Sequence, residues 1–179
     1  HVWALLPDPR RDRVFAATGP GRVYALTFSG QSVKVEKLFD SGARQVLAMA
    51  LSEDGQLALG TADDAVLYRL DPDKAGSARA LHDFAGNELR ALGFHKGVLY
   101  AAVNDMQRGE GAGRSGVRLV PPAAGTPGAG KSGSTDKGKG ALFRIDEGGR
   151  VEQLHSVSDG FFNALQVDGA GNVWAAAST

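Results

Sequence analysis

Four stretches of this chain repeat one another: HVWALLPDPRRDRVFAATGP, QVLAMALSEDGQLALGTADD, ELRALGFHKGVLYAAVND and FFNALQVDGAGNVWAAAST. Each opens on an Ala-centred apolar run, makes a tight polar turn and enters a second run rich in small residues. The anchors Ala4, Ala48, Ala91 and Ala164 stand 44, 43 and 73 residues apart. The last spacing exceeds the others by the length of one visible insertion.

Each full copy holds four strand-like runs. In the first these are Val2–Leu6, Val14–Ala17, Arg22–Phe28 and Ser32–Phe39, separated by Pro7-Asp8-Pro9, Gly19-Pro20-Gly21 and Ser29-Gly30. In the second they are Val46–Leu51, Leu57–Gly60, Ala65–Leu70 and Ala78–Phe84, and in the third Leu89–Phe94, Val98–Val103, Ala141–Ile145 and Arg150–Val157. The fourth supplies Phe162–Val167 and Val173–Ala177. The first two runs of each copy are small and apolar on both faces, as strands covered on both sides should be. The fourth run alternates apolar with polar, as a half-exposed outer strand should. A period of about 40–50 residues in an all-strand pattern predicts the blades of an all-β propeller. The blades are four-stranded and antiparallel, with boundaries near 1–41, 42–86 and 87–158 and a half blade at 159–179, about three and a half in all. The chain then reads as part of a larger ring.

Composition excludes several function classes. At 42% hydrophobic and 22% charged residues the chain is an ordinary soluble globular sequence. Twenty basic and twenty acidic side chains cancel, so no global field favours nucleic acid or an anionic membrane. There is no cysteine, hence no disulfide framework or thiolate metal site. That is compatible with any compartment. No apolar run is long enough to span a membrane as a helix. No charged segment leads into an apolar run at the N-terminus. The chain opens and stops inside strand patterns, so both ends read as cut ends, from which a removed leader would leave no trace.

The strand pattern resembles bacterial β-propeller repeats of the NHL, WD40-like or two-component-regulator-propeller kind. The resemblance covers nearly the whole chain and rests on the pattern, since the Trp-Asp pair that names WD40 blades is absent. It implies a ring of four to eight blades around a channel, with ligands or partners meeting one mouth. Three and a half blades leave strand edges and apolar faces open, so further blades or a partner chain are expected to close the ring. Two identical copies would each lack the same outer strands of the fourth blade.

Residues 107–140 break the repeat. The segment is dense in Gly, Ala, Pro and Ser and carries Arg108, Arg114, Arg118, Lys131, Lys137 and Lys139 against Glu110 and Asp136. It is expected as a flexible insertion at the mouth, either folding over a ligand or solvated and idle. Within it, Gly125–Ser132 matches the phosphate-loop pattern G-x-x-x-x-G-K-S. That chemistry needs a strand before the loop and a helix after it. Val120-Pro121-Pro122 and the Gly-rich stretch that follows supply neither, and the match is rejected.

The four histidines have no second ligand at metal spacing, and His82 and His155 share one outer-strand position, which repeat structure explains. Asp54-Gly55 and Asp168-Gly169 are read as hairpin turns, since they lack the further carboxylates of a calcium loop. The candidate site lies where the repeat is broken by polarity at the mouth. One residue before each anchor stand Trp3, Leu47, Arg90 and Asn163, with Gln45, Glu88 and Phe161 nearby. At the ends of the second runs stand Thr18, Thr61, Asp63, Asn104 and Asp105. Glu88, Arg90, Asn104, Asp105 and Asn163 depart from an otherwise apolar or small pattern and are the candidate ligand-binding residues, unless Glu88 and Arg90 simply pair with each other. The expected function is a non-catalytic binding, scaffold or sensory propeller presenting a loop-rich channel mouth to a protein or small ligand, with no cofactor. The sensory version places the chain outside the cytoplasm. The alternative is a calcium-dependent hydrolase of the lactonase or gluconolactonase type, whose resemblance implies Glu88, Asn104 and Asn163 as part of a calcium set.

Overall fold

A computed structural model describes residues 1–106 and 138–178. All regular structure in it is β: β1 (Val2–Asp8), β2 (Arg13–Thr18), β3 (Arg22–Ser29), β4 (Ser32–Asp40), β5 (Gln45–Leu51), β6 (Leu57–Ala62), β7 (Ala65–Leu70), β8 (Arg79–Phe84), β9 (Glu88–His95), β10 (Val98–Met106), β11 (Gly138–Ile145), β12 (Val151–Val157), β13 (Phe161–Val167) and β14 (Val173–Ser178). No helix of the described residues is long and apolar enough to cross a membrane. The basic insertion, with its phosphate-loop match, lies outside the described residues except for its last three. Gly138, Lys139 and Gly140 open β11 and pair with Met106, Asp105 and Asn104.

Strands of each copy pair in sequence order and antiparallel, as short hairpin connections require. β1–β4 form one sheet, β5–β8 a second, β9–β12 a third, and β13–β14 a two-stranded hairpin. The second and third sheets are stitched edge to edge by a single pairing, Ala62 opposite Glu88. This is a partial β-propeller: sheets packed face on face, each contributing one blade.

The apolar runs face both ways because each inner blade is sandwiched. Leu57 and Leu59 of β6 join Phe15, Ala17, Val23, Val46, Met49 and Leu70 between blades one and two. Ala58 of the same strand, between those leucines, joins Ala48, Ala65, Leu67, Leu89, Leu92 and Val103 between blades two and three. Successive side chains of a strand point to opposite faces, so one strand serves two cores. All six residues of β6 are buried. Close approach explains two small residues. A Cβ on Gly60 would lie 2.5 Å from Leu89 Cδ2 and 2.9 Å from its carbonyl oxygen. One on Gly140 would lie 2.8 Å from the Phe162 ring, which seats blade four on blade three.

Blades one to three each carry two register irregularities at repeating positions, and the described part of blade four carries one. On the inner strands the unpaired residue is Trp3, Leu47, Arg90 or Asn163. On the outer strands of blades one to three it is Leu38, Leu81 or Leu154. A bulge takes one residue out of the strict alternation and re-aims its side chain. The register also sets His82 opposite Leu67 and His155 opposite Leu142, matching positions of their blades.

Candidate functional site

The pairings Val2–Thr18, Gln45–Ala62, Glu88–Asn104 and Phe161–Ser178 put the starts of all four inner strands and the ends of all four second strands at one edge of the stack. We call this edge the mouth end. The insertion leaves and rejoins blade three there, between Met106 and Gly138, which pair with each other.

Arg90 is the bulge residue of blade three and half-buried. Glu88, also half-buried, holds the seam between blades two and three through its backbone. Asp105 and Lys139 stand exposed and opposite one another across β10 and β11. None of these four forms an ion pair or side-chain hydrogen bond among the described residues, and Glu88 and Arg90 do not pair with each other. Asp105 and Lys139 border a cleft of about 350 Å³ whose walls include Val103, Ser156 and Ser158. Asn163, the bulge residue of blade four, is exposed and donates through Nδ2 to Ser178 Oγ at 2.5 Å.

Asn104 has a different part. It is 1% exposed. Its Nδ2 donates to the Phe162 carbonyl and its Oδ1 accepts from the Phe162 N–H, both at 2.8 Å. The side-chain amide acts as a length of strand backbone, docking blade four on blade three, and both its ends are engaged. Asn87, which the repeat pattern did not single out, does the same next door. Its Nδ2 donates to the Met106 carbonyl at 2.7 Å and its Oδ1 accepts from the Met106 N–H at 2.9 Å. It stands one residue before Glu88, in the blade connection, where short polar residues pass for ordinary turn chemistry.

The threonines at this end are also structural. Thr18 Oγ1 donates to the Arg22 carbonyl at 3.1 Å. Thr61 Oγ1 donates to the Asp64 carbonyl at 2.5 Å and accepts from the Val66 N–H at 3.1 Å. Each closes a tight turn between the second and third strands of its blade. Blade three has no tight turn there, because the insertion intervenes, and Val103 stands at the matching position. Asp63, at φ 77°, forms a 3.9 Å ion pair with Arg44 in the same turn region.

The opposite, turn end is knitted together by paired charge. The Asp8 side chain is fully buried and meets Arg13 at 2.7 Å and Arg10 at 3.3 Å. Arg13, 7% exposed, reaches across to Asp73 of blade two at 2.8 Å, and Arg11 joins it there. The Arg13 guanidinium carbon also sits 4.7 Å from the Phe15 ring centre. Burial pulls the Asp8 carboxyl upward. The hydrogen bonds from Arg13 and Arg10 outweigh it and hold the group below the usual carboxylate range. The Arg10 guanidinium lies over Gly55, where a Cβ would collide with it, and His95 takes the same place 3.0 Å from a Cβ on Gly171. No local pattern announces this network, since Asp and Arg in turns read as solvated.

Among the described residues no group of three or more His, Asp or Glu side chains could hold a metal ion. The trio Glu88, Asn104 and Asn163 does not present three free ligands, because the Asn104 oxygen is already accepting from Phe162.

No protein-family model matches the sequence, and no curated protein does. Solved structures do match the fold. A structure of U3-55K and a crystal structure of RRP9 WD40 repeats each superpose with a TM-score of 0.51 at 14% identity, over 92% of this chain and 44% of theirs. An acylaminoacyl peptidase structure matches at a TM-score of 0.48 and 13% identity, over 89% of this chain and 25% of its own. The likeness is thus to WD40-repeat propellers and is one of fold. The narrower NHL type finds no support in it. This chain spans less than half the length of those WD40 structures.

Proposed function

We propose that this chain is a non-catalytic binding propeller whose mouth end engages a protein partner through Glu88, Arg90, Asp105 and Asn163, with Asn104 and Asn87 holding the frame. One observation carries the reading: Arg90 is placed by a bulge that recurs in every blade, yet it alone puts a charge there, and that charge is unpaired among the described residues. Glu88 apart, the other buried or half-buried charges of the described residues have an ion-pair or hydrogen-bond partner. A charge withdrawn from water without a partner costs stability, so its retention at a mouth edge supports a partner that supplies the counter-charge. The supporting Glu88, Asp105 and Lys139 make the surface mixed in sign, which suits a protein surface rather than a polyanion.

The test uses the full chain as immobilised bait against a cell extract. Wild type and Arg11→Ala, altered at the turn end, should capture the same partner; Glu88→Gln and Arg90→Ala should lose it. Equal capture by all four, or equal loss with Arg11→Ala, would sink the proposal. A calcium-dependent rise in melting temperature that Glu88→Ala abolishes would replace it with the ion-holding hydrolase reading.

A further inference from the structure

Blade two sets two like charges against each other where its neighbours do not. The register puts Arg69 of β7 opposite Arg79 of β8. Directly opposed side chains of an antiparallel pair share one face, and like charges there repel. The outer-strand bulges, Leu38, Leu81 and Leu154, align the three blades. At the matching place, blade three has Arg144 opposite Glu152, an ion pair at 3.5 Å. Blade one has Ala25 opposite Glu36. Neither arginine of blade two has its charge fully met. Arg79 is exposed, with no ion pair or side-chain hydrogen bond among the described residues. Arg69 is half-buried and has only Asp54, at 3.7 Å, an exposed carboxylate that also accepts from Ser52 Oγ. The Arg69 Nε is buried without a hydrogen-bond partner among the described residues. Arg13, whose Nε is likewise unpartnered, has its charge met by Asp8 and Asp73.

Both arginines border a cleft of about 400 Å³ at the seam between blades two and three. Its walls include Phe94 of β9, Leu99 of β10 and Ile145 of β11. Leu99 and Ile145 are buried, and Phe94 packs against the same core. Blade three also brings Asp146 and Glu147 to the cleft. Asp146 already accepts from the Arg150 N–H, and Glu147 forms no ion pair with either arginine. We propose that this cleft binds a small apolar monocarboxylate, its carboxylate held between Arg69 and Arg79 and its hydrocarbon body laid along Phe94, Leu99 and Ile145. Guanidinium forks match the geometry of a carboxylate and give charge-assisted hydrogen bonds. The carboxylate supplies to blade two the negative charge that Glu152 supplies to Arg144 in blade three. The volume is that of a pocket for a small molecule, with an apolar lining and few polar groups. The two acids of blade three repel a second negative group, which selects against polyanions. The site uses none of the residues of the mouth and stands apart from the partner surface there.

Octanoate, hexanoate, acetate and sulfate are the probes, titrated calorimetrically into the chain at submicellar concentration. Octanoate should bind, hexanoate more weakly, and acetate and sulfate not measurably. Arg79→Glu recreates the pairing of blade three. It should weaken octanoate binding at least about ten-fold without lowering the melting point; Arg79→Gln replaces it if that variant melts early. Lys34→Gln removes a cation from exposed β4 and should bind octanoate as the wild type does. A wild type that binds no octanoate overturns the proposal. So does an affinity unchanged by loss of the Arg79 charge, or one weakened equally by Lys34→Gln. Sulfate binding as tightly as octanoate would overturn the assignment to an apolar carboxylate.

Discussion

The two ends of the blade stack use the same residue types for opposite purposes. At the turn end, Asp8, Arg10, Arg11, Arg13 and Asp73 are locked in ion pairs that tie blade one to blade two. At the mouth end, Glu88, Arg90, Asp105 and Lys139 have no such partner among the described residues; a neutral amide, Asn104, ties blade three to blade four, and another, Asn87, ties the start of blade three to β10. A charge that is paired contributes to the fold; an unpaired one at a surface edge is free to meet something else. At the mouth edge of blade three the charges stay available, and side-chain amides carry the structural duty.

The largest test of this contrast is Asp8→Asn. It removes one partner of a buried pair and leaves Arg13 under-compensated. Stability should fall by about 3 kcal/mol, seen as a melting point lower by roughly 6–12 °C for a chain of this size. A loss no greater than that of an exposed substitution would break the comparison at the turn end. Next, Asn104→Ala should cost about 2 kcal/mol in urea unfolding, because the Phe162 N–H and carbonyl lose their partners while buried. Were Asn104→Ala neutral for stability and damaging only to partner capture, Asn104 would belong with the binding residues instead.

A smaller effect concerns pH. The Asp168 carboxyl accepts from the Asn172 side chain, the Asn172 and Ala170 N–H groups and the Trp174 indole, and these lower it from 3.8 to about 2. A carboxyl depressed in the folded state stabilises fully above its unfolded value and loses that contribution as pH falls through the folded one. The melting point should therefore drop between about pH 4 and pH 2, and Asp168→Asn should flatten part of that drop. Asp8, lowered in the same direction, supplies another part, and Asp8→Asn should flatten it too. The smallest effect is expected of Arg90→Ala, whose stability should stay within about 0.5 kcal/mol of wild type. A larger loss would make Arg90 structural and remove the distinction between the ends.

Most of the architecture was legible in the sequence. The fourteen strands of the described residues lie where the apolar runs and turn residues put them, because the period-2 pattern and the turn glycines act locally. The bulge positions were legible in part. Trp3, Leu47, Arg90 and Asn163 stood out by their fixed place before the anchor alanines, although nothing local announces that they leave the strand register. The candidate site was legible as a set but not in its roles. Asn104 and Arg90 both break the repeat with polarity. Whether a polar residue tethers backbone or stays free depends on what lies within hydrogen-bond reach, and for Asn104 that is Phe162, 58 residues away. Asn87 and the Asp8–Arg13–Asp73 network escaped for the same reason.

The sequence by itself determined the repeat, the strands and their order, since these follow from alternation and turn chemistry within a few residues of each position. Only the tertiary structure decided which charges are spent and which are available. It also decided which polar residues tether backbone, as Asn104 does at Phe162, and which stay free. Those outcomes depend on what a neighbouring blade brings within reach of the side chain, and no pattern internal to one copy records that.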